Sequence, residues 1–78
     1  MPLAVAQFGF EIAVLVLEGD PLVSPAKPKD GEARWMGLGK VEGKLYATVY
    51  TERFDHLRII SVRRASSKER RMFDARPE

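Results

Sequence analysis

Lys44-Leu45-Tyr46-Ala47-Thr48-Val49-Tyr50-Thr51-Glu52 is the stretch that decides the fold. Leu45, Ala47 and Val49 fall on one parity; Lys44, Tyr46, Thr48 and Tyr50 fall on the other. That two-residue period belongs to a strand with two distinct faces. Glu42-Gly43 before it reads as a tight turn, and Arg34 to Val41 before that as a second strand. After it, Arg53-Phe54-Asp55-His56 reads as a polar turn and Leu57 to Arg64 as a third strand. Ile59, Ile60 and Val62 give that third strand apolar residues on both parities, the pattern of a central strand. Three strands in succession with short connections predict an antiparallel meander.

Ser66 and Glu69 then stand at the spacing of a capping box, so a helix is predicted from Ser67 to about Ala75 and is ended by Pro77. Met72 and Phe73 are its expected core residues, with Arg70, Arg71 and Arg76 pointing outward. At the other end, the apolar run Phe8 to Leu17 suits a helix of about two turns, although Ile12, Val14 and Val16 are β-branched. Gly19-Asp20-Pro21 stops it. Leu22-Val23 is a candidate edge strand, and Ser24 to Gly31, with two prolines and an Asp-Gly, reads as an exposed irregular loop. Gly37 and Gly39, bracketing Leu38 in a strand, mark a bulge or a close backbone approach. The expected architecture is α+β, a small antiparallel sheet with N- and C-terminal helices, in a single domain over residues 1–78.

Composition narrows the chemistry. The chain has 78 residues, no cysteine and one histidine, His56, so thiolate zinc sites, disulfides and cysteine nucleophiles are excluded. No cofactor and no metal is expected, because no loop gathers carboxylates at metal-binding spacing. The longest apolar run is too short for a bilayer and the start lacks the basic residues of a secretory signal, so the expected setting is cytoplasmic, away from membranes. Charge is uneven. Residues 1–52 hold five Lys/Arg against seven Asp/Glu, whereas residues 53–78 hold eight against four, and seven of those eight are arginine. Arginine's planar fork matches phosphate and carboxylate, which points to a nucleic-acid or acidic-protein partner.

Asp30-Gly31-Glu32-Ala33-Arg34-Trp35, with Gly39 after it, is followed by Arg58-Ile59-Ile60-Ser61-Val62-Arg63-Arg64-Ala65 and then by Glu69-Arg70. With Phe10-Glu11, Ala13 and Asp20-Pro21 upstream, this order and spacing resembles the BrnT family, the toxin component of BrnT–BrnA type II toxin–antitoxin systems. The resemblance runs from about Phe8 to Phe73. It implies a small RelE-like ribonuclease toxin that cleaves RNA without a metal ion and slows translation. It also implies a partner, a BrnA-like antitoxin with a ribbon-helix-helix portion, through which alone the complex reaches promoter DNA. Two departures stand out. The family's leading segment, with a Trp-Asp step and a helix ending in Lys-His-Gly, does not precede Phe8, so either translation starts upstream of Met1 or the chain is a truncated member. Phe73 stands where the family often has tyrosine. A catalytically inactive member that acts as a partner-binding or regulatory module is the alternative reading.

Metal-free RNA cleavage needs a base for the 2′-hydroxyl, an acid for the leaving 5′-oxygen and a fixed cation at the phosphoryl oxygens. Arg63 and Arg58 are the leading cation candidates, because a strand fixes their direction. Five residues apart, they are expected on opposite faces of that strand, with Arg63 sharing the face of Ser61. Glu52 is the expected partner of Arg58 if that arginine is structural. Glu32 is a candidate base, or else the ion-pair partner that holds Arg34, the fourth catalytic candidate. Glu52 ranks below Glu32, and His56 is more in character as a solvated turn residue than as an acid. Arg64, Lys68, Arg70 and Arg71 are the candidate RNA-binding residues. Tyr46 and Tyr50 are expected to form a packing stripe rather than a base platform, and Trp35 to anchor the core. The apolar segment from Phe8 to Leu17 needs a cover in so small a protein, and a homodimer is the expected state.

Overall fold

The computed structural model describes residues 9–76. Helix α1 (Phe10–Glu18) leads into four strands, β1 (Leu22–Lys29), β2 (Glu32–Val41), β3 (Lys44–Arg53) and β4 (His56–Arg64), and helix α2 (Ser67–Asp74) closes the chain. The strands form one antiparallel sheet in the order β1-β2-β3-β4, so the fold is α+β, as the alternation in β3 predicted. Phe8 and the proposed stop at Pro77 lie outside the described residues.

Three hairpins of two residues each join the strands, closed by the pairs Lys29–Glu32, Val41–Lys44 and Arg53–His56. In the first two, Asp30-Gly31 and Glu42-Gly43, both residues have positive φ, the geometry that matches the twist of the flanking strands. Asp30-Gly31 is therefore a hairpin turn, and Ser24 to Lys29 before it is strand rather than irregular loop. Two prolines do not prevent this, because β1 is at the sheet edge and needs ladder hydrogen bonds on one side only. Pro25 pairs with Trp35, and Pro28 sits where the register slips between Ala26 and Lys29.

α1 lies on the sheet face that carries Gly37, Gly39 and Thr48. A methyl group at Gly37 would stand 3.0 Å from Leu17 Cδ2, and one at Gly39 would stand 3.1 Å from Val16 Cγ1. The two glycines are there for close approach, which lets Ala13 and Val16 reach complete or near-complete burial. This docking outweighs the β-branched residues that weaken α1 as an isolated helix. Phe10 and Leu15, on its outer side, remain exposed. Tyr50 and Val62 are buried on the α1 side, and Leu38, Leu45 and Ala47 on the other.

α2 forms as its capping box directs, with Ser66 Oγ accepting from the Glu69 amide and the Glu69 carboxylate accepting from the Ser66 amide. Its packing departs from expectation. None of its residues is buried, Met72 is exposed and Phe73 only half-buried, so it rests against the end of the sheet instead of filling a core. Arg76 does not point outward. Its Nη1 donates to the Asp20 carbonyl at 2.6 Å and its guanidinium lies over the Phe73 ring, which ties the end of α2 to the turn after α1.

Candidate functional site

The register of β3 and β4 slips once. Val49 pairs with Ser61 but Tyr50 with Ile59, which leaves Ile60 as the extra residue of a β-bulge. A bulge shifts the side-chain parity of one strand relative to the other. Arg58 therefore opposes Thr51 and Arg63 opposes Ala47, two positions four apart on the uninterrupted β3. Arg58 and Arg63 consequently share a sheet face, contrary to the alternation expected from their spacing, and Ser61 shares it with them.

The other two catalytic candidates are on that face as well. Trp35 pairs with Tyr50, so Arg34 takes the opposite side, that of Val49 and Thr51, and Glu32 has the parity of Arg34. Glu32 does not hold Arg34. Its Oε2 accepts from Arg53 Nε at 2.9 Å and lies 2.8 Å from Arg53 Nη2. Arg53 pairs in turn with His56, so Glu32, Arg53 and His56 form a row across three strands beside the row of Arg34, Thr51 and Arg58.

In this second row polar atoms are left over. Arg34 Nε and Thr51 Oγ1 are buried without a hydrogen-bond partner among the described residues. Arg58 is exposed and makes no salt bridge there, to Glu52 or to any other carboxylate. A face with one free guanidinium, a second half-buried one and a carboxylate held in place by a third can meet an anion without first breaking its own ion pairs.

Arg63 is differently placed. Its Nη1 and Nη2 each donate to Glu69 at 2.7 Å, a bidentate pair that joins β4 to α2. The Arg63 guanidinium is thereby held even more firmly protonated, and the Glu69 carboxyl is pulled down to about 2, first by these hydrogen bonds. The fork expected to face phosphate is filled by a carboxylate. Of the RNA-binding candidates, Arg64 is on the α1 side of the sheet with its guanidinium 5.7 Å from the centre of the Tyr46 ring. Lys68, Arg70 and Arg71 are exposed on α2. The basic groups thus fall in three places: the site face, the opposite α1 face with Arg64, and the exposed side of α2.

Tyr50 belongs to packing, and Tyr46, on the same face, is half-buried under Arg64. Tyr50 opposes Trp35 and Ile59, and burial raises its hydroxyl pKa, with Glu52 adding to the effect. Trp35 is only half-buried and so does not anchor the core as foreseen. Sequence reasoning passed over Arg53 and Thr51. The signal for Arg53 was the register itself, since opposite charges facing each other across an antiparallel pair are mutually stabilising.

No three His, Cys, Asp or Glu side chains among the described residues are grouped to hold a metal ion. No helix among them is long and apolar enough to cross a membrane. The family model described as the ribonuclease toxin BrnT of type II toxin–antitoxin systems matches residues 6–69. No curated protein and no solved structure gave a match. That match takes in the whole sheet and the capping box of α2, and on it the chain belongs to the BrnT family of ribonuclease toxins, whose partner is an antitoxin.

Proposed function

We propose that this chain cleaves RNA without a metal ion on the sheet face of Glu32, Arg34, Arg58 and His56, and so inhibits translation in the cytoplasm. The single observation that carries the reading is the bulge at Ile60, which turns Arg58 to the face that already holds Glu32 and Arg34. Glu32, steadied through Oε2 by Arg53, has a second carboxylate oxygen to take the 2′-hydroxyl proton. The freed oxygen attacks the adjacent phosphorus. Arg58 and Arg34 stabilise the charge that builds on the non-bridging oxygens. His56, two strands from Glu32 on the other side of Arg53, gives its proton to the departing 5′-oxygen. The 2′-oxygen–phosphorus bond forms as the bond to the 5′-oxygen breaks, and the products are a 2′,3′-cyclic phosphate and a free 5′-hydroxyl.

Arg63 acts here as a positioning residue. By holding Glu69 it sets α2, with Lys68, Arg70 and Arg71, beside the sheet so that those cations follow the RNA backbone. The antitoxin is a BrnA-like ribbon-helix-helix protein, and exposed Phe10 and Leu15 on α1 offer it an apolar contact. The test is incubation of unmodified RNA with the purified chain in chelator. Cyclic-phosphate ends that disappear with Arg58→Ala and with Glu32→Gln support the mechanism. RNA left intact by the unaltered chain would instead favour the binding-module reading.

A further inference from the structure

The third hairpin is built unlike the other two. It has no glycine, and Phe54 takes the left-handed backbone conformation, φ 54°, at its first turn position. A bulky residue there is strained, and Asp, Asn or Gly would relieve it. Phe54 is also fully exposed, so no packing among the described residues repays the strain. Beside it is a shallow hollow of about 240 Å³ lined by Glu52, Phe54, Asp55, His56 and Leu57. Phe54 and Leu57 supply apolar surface, and Glu52 and His56 supply polar edges.

We propose that this hollow is a nucleobase subsite, with Phe54 stacking on an unpaired base and the Glu52 carboxylate accepting from the exocyclic amino group of that base. The inference rests on the ribonuclease reading and names which part of the RNA is gripped. Single-stranded RNA is recognised largely by bases stacked on aromatic side chains and hydrogen-bonded at their edges. A carboxylate pairs with an amino group such as N4 of cytosine and repels a carbonyl in that place. Cytosine and adenine are favoured over uracil on these grounds. The location suits the chemistry, because His56 lines the hollow and pairs with Arg53, which holds Glu32.

The experiment uses the full chain and uncleavable 2′-O-methyl octanucleotides of A, C, G and U. Phe54→Gly is expected to weaken binding about tenfold while raising the melting temperature by a few degrees, because glycine relieves the backbone strain. Phe54→Trp keeps the affinity, and Glu52→Gln evens out the preference between C and U. Equal affinity of Phe54→Gly and the unaltered chain for all four oligonucleotides overturns the proposal, as does a loss of affinity accompanied by a lower melting temperature. Cleavage of unmodified RNA is scored separately. Cleavage that persists while binding ignores Phe54 sinks the subsite alone, whereas Phe54-dependent binding without cleavage sinks only the nuclease mechanism.

Discussion

Glu69 accepts both arms of the Arg63 guanidinium, each at 2.7 Å, with the same carboxylate that closes the capping box on the Ser66 amide at 2.8 Å. One side chain thus starts α2 and fastens it to β4. Its carboxyl, held at about 2, stays charged far below its ordinary range. A carboxylate lowered in this way stabilises the fold above its unfolded-state pKa, near 4.5, and that contribution is lost as pH falls from there to about 2. Arg63 is half-exposed, so solvent screens the pair and its contribution is about 1 kcal/mol. Thermal denaturation of the unaltered chain and Glu69→Gln should show the gap between them closing over that pH range. A gap that is the same at pH 7 and pH 2 would contradict it.

The two strand glycines should respond differently to alanine. At Gly39 the new methyl meets Val16 Cγ1 at 3.1 Å, with the Val16 carbonyl oxygen at 3.5 Å and its Cα at 3.6 Å, so α1 itself must shift. At Gly37 the nearest atom is the end of the flexible Leu17 side chain. Gly39→Ala is expected to cost about 1–3 kcal/mol and Gly37→Ala well under half of that, as read by urea denaturation.

Two buried threonines on β3 give a matched pair. Thr48 Oγ1 donates to the Ser61 carbonyl at 3.1 Å, whereas Thr51 Oγ1 has no partner among the described residues. Thr48→Val removes a hydrogen bond and should destabilise by about 1 kcal/mol. Thr51→Val removes a desolvated orphan and should be neutral or stabilising. Equal losses from both substitutions would mean that the Thr51 hydroxyl has a partner in solution.

Among the described residues Arg58 has no ion pair to lose. Arg58→Ala should leave the unfolding free energy within about 0.5 kcal/mol of the unaltered chain, yet lower RNA cleavage by about 10²–10³-fold. Arg63→Ala should instead lower stability together with activity, because it frees α2. Parallel melting curves and single-turnover cleavage separate the two. An Arg58→Ala chain as active as the original would remove that residue from the mechanism.

Much of the fold was written in local pattern. The period of Lys44 to Glu52 announced β3, Ser66 and Glu69 announced the start of α2, and Gly37 and Gly39 announced a close neighbour, because each signal involves residues that touch within one element or leave an obvious space. The family could be read the same way, from three motifs in order. β1 was harder to see, since two prolines argue against a strand until its position at the sheet edge is known, and the edge is a property of the whole sheet. The site depended even more on tertiary structure. Counting along β4 puts Arg58 and Arg63 on opposite faces; only pairing with β3 shows that Ile60 is extra and that the two side chains share a face. The same holds for Glu32, drawn to Arg53 across a hairpin rather than to Arg34 two residues away, and for Arg63, whose fork is filled by Glu69. Sequence sets which groups a strand carries, while the register between strands sets which of those groups meet, because a single unpaired residue reverses parity without changing composition.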